Sequence, residues 1–214
     1  MLVSLIIQQV LNRKIDKYSQ VPSPHGLSGA DISKLMLQQN NINNVTVQSV
    51  GGKLTDNFNP SDMTINLSEP VYSKASIAAC AIAAHETGHA VQNARGYAPV
   101  KLRSALVPVV NFANNAVQWV LLAGIIFINV FPHLIWAGII LFAITTLFSL
   151  VTLPVEINAS QRAVQWLSGS GVVDETTRPM VEDALKWAAY TYVIAAVGSI
   201  ATLLYYILIA ERRN

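Results

Sequence analysis

The sequence predicts a mainly helical α+β integral membrane protein, with a small β-sheet and three to four membrane helices. Three observations carry this expectation. Only 12% of the 214 residues are charged and 52% are hydrophobic, where a soluble domain carries about 25% charged residues. No charge falls within Ser104–Val155 or Trp187–Ala210, and crossing a bilayer takes ~20 apolar residues. Short runs in which apolar and polar residues alternate are confined to a polar stretch near the N-terminus, enough for a small sheet only. These features exclude a disordered chain, a nucleic-acid-binding module and a disulfide-stapled secreted domain. Cys80 is the single cysteine, so no internal disulfide forms and no oxidising compartment is implied. A net charge of +2 selects no class of partner.

Taken in order, residues 1–17 form an N-terminal membrane anchor or interfacial helix. Leu2–Leu11 is apolar but broken by Gln8 and Gln9, and about ten residues are too few to span alone. Its basic cluster, Arg13, Lys14 and Lys17, follows the apolar run, which disfavours a cleaved signal peptide. Residues 18–103 are the polar part. Ser28 and Asp31 have the spacing of a capping box, opening a helix over Gly29–Gln39. Val45, Val47 and Ser49 alternate with polar residues before Gly51-Gly52 turns the chain into Lys53-Leu54-Thr55. Met63–Leu67 alternates strictly before Pro70, so two or three short strands are expected, with Met63–Leu67 at an edge. A helical pattern then runs from about Lys74 to Ala94, ended by Gly96 and Pro99.

Residues 104–153 form a transmembrane hairpin: Ala105–Phe131, a break at Pro132-His133, and the cleaner span Leu134–Leu153. Asn111, Asn114, Asn115 and Gln118 share one face of the first span, which should look at protein, a wet cavity or the membrane surface. Residues 154–186 return to polar composition, and 187–210 is a third span with aromatic residues near its ends. A hairpin returns to the side it left, so residues 12–103 and 154–186 share one face of the membrane. They hold 12 of the 14 Lys and Arg, which places the polar part in the cytoplasm.

One motif carries chemistry: His85-Glu86-Thr87-Gly88-His89. On a helix His85 and His89 point the same way and can share one Zn²⁺. Glu86 sits about 100° around the helix, beside an attacking water rather than on the metal. There it can accept the water's proton as a carbonyl is attacked and deliver it to the leaving amine. Two histidines four apart also describe a solvated helical face. Here, however, the preceding run Ile77–Ala84 is small and apolar all round, the mark of a buried helix, in which an unpartnered Glu is costly. Gly88, unfavourable in a helix by about 1 kcal/mol, suggests that another backbone packs closely against the motif.

A catalytic zinc keeps three protein ligands and one open position. His133 lies at the far end of the hairpin, and His25 reads as a surface residue of a Pro-rich loop. Gln92 and Arg95 occupy the positions where a longer motif would continue with Gly and His. The third ligand is then a carboxylate. Asp174, Glu175, Glu182 and Asp183 sit in polar sequence, with Lys186 as a helical partner for Glu182. Glu156 stands where the second span exits, which brings it to the membrane surface that His89 also reaches. The alternative for Glu156 is an interfacial carboxylate hydrogen-bonded locally.

With these residues in place the sequence resembles the YugP-type membrane zinc metallopeptidases of bacteria. The resemblance lies in the His-Glu-x-Gly-His helix, in Gly96–Pro99 with Lys101–Pro108, and in Leu153–Ser160. Lys17–Ser19, Gly26–Gly29, Lys53–Asp56 and Leu67–Glu69 extend it over nearly the whole chain. The layout is more distantly similar to the HtpX and CAAX-processing proteases. That similarity implies a gluzincin-like metallopeptidase fold in which Glu156 gives the third zinc ligand. Ser160 stands where those proteins have Asp, and the N-terminal span is abbreviated to Leu2–Leu11.

Ser160 shares the helical face of Glu156, as an outer partner for a ligand or as an ordinary helical serine. Asn158, Arg162, Arg103 and Tyr97 are candidates for stabilising an oxyanion, although snorkelling to the membrane surface is the stronger reading for the two arginines. The expectation is therefore an integral membrane, zinc-dependent endopeptidase. One Zn²⁺ is held by His85, His89 and Glu156, Glu86 is the general base, and the active site faces the cytoplasm of a bacterial cell. Its partners are a peptide or membrane-protein substrate and the lipid bilayer, with no nucleic acid. A site-2-type protease would need a Leu-Asp-Gly segment, which the sequence lacks; a non-catalytic zinc-binding membrane adaptor is the rival of a different class.

Overall fold

The computed structural model describes residues 2–127 and 129–211. They contain the helices α1 (Leu2–Tyr18), α2 (Gly29–Gln39), α3 (Glu69–Ser73), α4 (Ile77–Ala94), α5 (Ala98–Ile126), α6 (Pro132–Gly169) and α7 (Arg178–Glu211). Three strands, β1 (Thr46–Val50), β2 (Asn57–Asn59) and β3 (Thr64–Ser68), lie between α2 and α3. The chain is mostly helical with a small sheet, and three helices are long and apolar enough to cross a membrane. It divides into two compact units, one containing residues up to Tyr97 with Val155–Thr191, the other Ala98–Pro154 with the stretch from Tyr192.

In the first unit the start of α2 is fixed as its sequence demands. The Asp31 backbone N–H donates to the Ser28 hydroxyl, and the Ser28 backbone N–H donates to the Asp31 carboxylate. A Ser-to-Ala change at such a cap costs about 1 kcal/mol. Ser76 caps α4 by accepting from the Ala79 N–H, so the motif helix begins three residues later than Lys74, where the sequence pattern starts. From Ile77 to Ala84 every residue but Ile82 is buried. Side chains this small let α4 run through the middle of the unit, against Ile32 and Met36 of α2 and Ile65 and Leu67 of β3. Thr87 ties the two helices together: its hydroxyl donates to the Ala83 carbonyl and lies 3.0 Å from the Ser33 hydroxyl, which reaches the same carbonyl.

The sheet corrects one expectation. Its order is β1-β3-β2, with β1 parallel and β2 antiparallel to β3. The Met63–Leu67 region, read as an edge strand, is therefore the central one, and its side chains Ile65 and Leu67 are fully buried. Gly51-Gly52 does turn the chain, with Gly52 at φ +103°, but the residues after it do not form a strand. Lys53 is drawn to Asp16 of α1 by an ion pair of 2.9 Å, and pairing with β3 resumes only at Asn57. Asp56 secures that junction by accepting from the Ser68 N–H at 2.7 Å and from its hydroxyl. Burial raises the Asp56 pKa against the lowering effect of these bonds.

The sequence reading ends the second span at Leu153, whereas α6 continues through Pro154 to Gly169. The missing proline N–H removes one i→i−4 bond, and the rest of the helix closes around it. At 38 residues and 1.5 Å per residue, α6 is about 57 Å long, roughly twice a ~30 Å hydrocarbon core. Its C-terminal part belongs to the first unit, where Val155, Ala159, Ala163 and Leu167 are fully buried on one stripe. In the second unit small residues again allow close packing: a Cβ on Gly124 would lie 2.7 Å from the Ile135 Cα. Leu121, Ile135, Ile139 and Ala210 form that unit's buried cluster. The polar face Asn111, Asn114, Asn115 and Gln118 of α5 is exposed.

Candidate metal centre

The motif helix α4 and the Val155–Gly169 part of α6 meet at two small residues. A Cβ on Gly88 would stand 2.8 Å from the Ala159 carbonyl oxygen and 3.3 Å from its Cα. The glycine is there because only a bare backbone fits, as its cost within a helix suggested. This crossing brings the carboxylate three residues before Ala159 up to the histidines on either side of Gly88. The Glu156 Oε2 lies 3.3 Å from the His85 Nε2 and 3.4 Å from the His89 Nε2. One donor atom from each of the three residues falls within a set no more than 4.8 Å apart. The two rings stand edge to face, at 85°, so both Nε2 atoms converge without stacking. Among the described residues these three form the one cluster of His, Cys, Asp and Glu able to hold a metal.

The separations can be tested against zinc. Ligand atoms ~2.1 Å from a tetrahedral zinc lie ~3.4 Å from one another. The two histidine-to-carboxylate distances of 3.3 and 3.4 Å match that edge, and two imidazoles with one carboxylate are an established donor set for an open catalytic zinc. Glu156 is buried, as a carboxylate is only when paired. Burial opposes charge on His89, but the hydrogen bond to Glu156, the charges of Glu86 and Glu156 and the Gln92 contact outweigh it and raise the pKa.

Both ring Nδ1 atoms also have partners. The His85 Nδ1 is 3.1 Å from the Ser160 hydroxyl, so the residue one helical turn beyond Glu156 reaches back to His85. The His89 Nδ1 is 3.0 Å from the Gln92 Oε1, a contact the sequence reading missed. The Gln92 side chain donates to the Val155 carbonyl at 2.8 Å and to the Asn158 Oδ1 at 3.0 Å. Arg162 donates from its Nε to the same Asn158 oxygen at 2.8 Å. Asn158 and Arg162, considered as oxyanion donors, are thus engaged with each other behind His89. Glu86 takes no part in the three-residue cluster; its Oε2 accepts from the Phe58 backbone N–H at 3.0 Å. Phe58 lies on β2, at the edge of the sheet, and was not singled out by the sequence.

The other titratable residues weighed from sequence are placed elsewhere. His25 bonds the Gly171 carbonyl at 2.9 Å. Asp174 accepts from the backbone and hydroxyls of Thr176 and Thr177, and Asp183 pairs with Lys14 at 2.7 Å. Glu182 pairs with Arg178, four residues before it, at 2.8 Å; the partner expected from sequence was Lys186.

Comparison with known proteins agrees with this geometry. Residues 1–211 match the family described as "Putative neutral zinc metallopeptidase". The chain belongs to this family. It is 39% identical over 207 residues, 97% of this chain and 91% of the other, to the Bacillus subtilis protein named "Putative membrane protease YugP". No solved structure matches.

Proposed function

We propose that the chain is a membrane-embedded, zinc-dependent endopeptidase of gluzincin type whose active site lies at the cytoplasmic membrane surface of a bacterial cell. The observation that carries this reading is the convergence of His85, His89 and Glu156, with both histidine-to-carboxylate distances at the edge length of a zinc tetrahedron. One Zn²⁺ per chain would be held by these three residues. When bound, it supplies the Lewis acidity that makes water nucleophilic near neutral pH and polarises a peptide carbonyl.

The chain's own residues do the rest. Glu86, on the same helix but outside the ligand set, accepts the proton of the attacking water at its carboxylate and passes it to the leaving amine nitrogen. His85 and His89 are held in orientation by Ser160 and Gln92, so no ligand has to reorganise during the reaction. With β3 in the centre of the sheet, the strand open to an extended peptide beside Glu86 is β2. A substrate added there would hydrogen-bond to β2 as an extra strand, claiming the Phe58 N–H that Glu86 now occupies. Release from Phe58 would free the Glu86 carboxylate for the water. An α6 of 38 residues, longer than one crossing needs, supports a carboxylate ligand outside the hydrocarbon core, and the excess of Lys and Arg in residues 12–103 and 154–186 supports a cytoplasmic site.

The test uses the full-length protein purified in detergent, with metal analysis and peptide hydrolysis measured in parallel. Wild type should carry one zinc and lose hydrolysis to a chelator. Glu86→Gln should keep zinc and fold while losing hydrolysis, and Glu156→Ala should lose both zinc and hydrolysis. Full zinc affinity in Glu156→Ala would remove it from the ligand set. Zinc bound by a wild type that hydrolyses no peptide would favour the non-catalytic membrane adaptor.

A further inference from the structure

We infer that Gln92 is a positioning residue for the metal site: it fixes the tautomer and orientation of His89 through a part-buried relay ending at Arg162. The inference rests on the metallopeptidase reading above and adds to it the group that prepares the second histidine.

The argument is one of donors and acceptors. Gln92 is fully buried, three residues after His89 and so on the same side of α4. One end of its amide is 2.8 Å from the Val155 carbonyl oxygen. A carbonyl can only accept, so that end is the NH₂. The same NH₂ group is 3.0 Å from the Asn158 Oδ1. The Asn158 amide is oriented in turn by Arg162, whose Nε lies 2.8 Å from that oxygen and can only donate. Both amides are therefore fixed in orientation by partners with a single possible role.

The end of Gln92 that faces His89 is consequently its carbonyl oxygen, 3.0 Å from Nδ1. It can only accept, so Nδ1 carries the proton. Nε2, the atom 3.4 Å from the Glu156 carboxylate, is then the ring nitrogen left to bind a metal once it gives up any proton shared with that carboxylate. His89 is thus prepared to bind a metal through Nε2 before any metal arrives. His85 is prepared differently: its Nδ1 faces the Ser160 hydroxyl, which donates or accepts with equal ease and imposes no tautomer. The relay supplies at His89 what an outer carboxylate commonly supplies to a metal-bound histidine, with an uncharged amide. Val155 and Asn158 flank Glu156 in sequence, so the same side chain that sets the tautomer of His89 ties α4 to the backbone carrying the third ligand.

The test compares Gln92→Leu and Gln92→Glu in the full-length protein, reading zinc affinity by chelator competition alongside thermal unfolding. Leucine removes both ends of the relay; glutamate keeps an acceptor toward Nδ1 but loses the donors to Val155 and Asn158. Positioning through the acceptor predicts that Gln92→Leu loses roughly 10- to 100-fold in zinc affinity while Gln92→Glu stays within about threefold of wild type. Equal losses in the two variants would mean that Gln92 only braces the helices, and wild-type affinity in Gln92→Leu would remove it from the site; either overturns the inference. A second measurement needs no variant: ¹⁵N NMR of the metal-free wild type should find a proton on the His89 Nδ1, and an Nδ1 without a proton overturns the inference. A wild type that takes up no zinc would sink the metallopeptidase reading instead, and the tautomer would still decide the hydrogen-bond assignment.

Discussion

Replacing Gly88 by alanine separates two physical effects that act in opposite directions. Helix propensity alone favours Gly88→Ala by about 1 kcal/mol. The added Cβ, however, would stand 2.8 Å from the Ala159 carbonyl oxygen, and a backbone oxygen cannot rotate aside as a flexible side chain can. Bringing that contact to 3.4 Å, the near edge of ordinary van der Waals distance, requires α4 and α6 to separate by about 0.6 Å. Overpacking of this kind costs ~1–3 kcal/mol. After the propensity gain the net destabilisation is ~0–2 kcal/mol, well inside the ~5–15 kcal/mol that holds a domain folded. The protein should therefore still fold.

The metal site should respond more strongly. Ala159 and Glu156 lie one turn apart on α6, so Glu156 moves with the displaced helix. Histidine-to-carboxylate separations of 3.3 and 3.4 Å would stretch toward ~4 Å, against a tolerance of about 0.2 Å in each metal–ligand distance. The expected result is a zinc affinity lower by roughly 10- to 100-fold with little change in helix content, read by chelator competition and circular dichroism. Wild-type zinc affinity in Gly88→Ala, or a metal-free protein stabilised by the full propensity gain, would refute the close approach of the two backbones.

Two further predictions concern the surroundings. Hydrogen bonds from the hydroxyls and backbone of Thr176 and Thr177 lower the Asp174 pKa to about 2, so its contribution to the start of α7 is complete above the unfolded carboxylate value of about 3.9 and is lost as pH falls through about 2. Amide hydrogen exchange over residues 175–182 should accelerate in that window in wild type, and Asp174→Ala should exchange fast at every pH. Single cysteines at positions 57 and 175, in a chain lacking Cys80, should both be shielded from an impermeant thiol reagent in intact cells and react after lysis. Wild-type Cys80 should react poorly even after lysis, because it is buried and burial pushes its thiol pKa up to about 11; labelling of positions 57 and 175 from opposite sides would break the topology on which the cytoplasmic site depends.

What could be read from the sequence followed from the range of the interactions. His85 and His89 are four residues apart on one helix, so their convergence is a local property and needed only the helical period. Glu156 is 67 residues beyond His89, and its place was legible because charge is so scarce in the hydrophobic stretch that the first carboxylate after it stands out. The capping box of α2 and the close approach at Gly88 were legible for the same local reasons. The sheet was not: a parallel β1–β3 pair joins residues 18 apart, and β2 is Asn-Phe-Asn, two of three residues being depleted in strands. Gln92 carried a usable signal, an amide three residues after a ligand histidine in an otherwise small and apolar helix. It was weighed only as the absence of a longer motif. The C-terminal residues Arg212, Arg213 and Asn214, assigned from sequence to the opposite side of the membrane, lie outside the described residues.

The geometry also bears on whether metal builds this site or fills it. In small zinc domains the ligands come together only because the metal binds, and a chelator unfolds them. Here His85, His89 and Glu156 converge through interactions that contain no metal: the Gly88–Ala159 contact and the Ser160 and Gln92 hydrogen bonds. The carboxylate is not left isolated either, because both imidazoles lie within 3.4 Å of it. The site is then a preformed cup that zinc would fill. Chelation should abolish hydrolysis while helix content stays within a few per cent of the loaded protein. Bound zinc should raise the unfolding free energy only by the mass-action amount, ~2.7 kcal/mol at a free concentration 100 times its Kd. Thermal unfolding across a zinc titration measures this directly, provided that unfolding is reversible in the detergent used. Collapse of the helical signal on chelation at ambient temperature would refute a preformed site and make zinc a folding element of the chain.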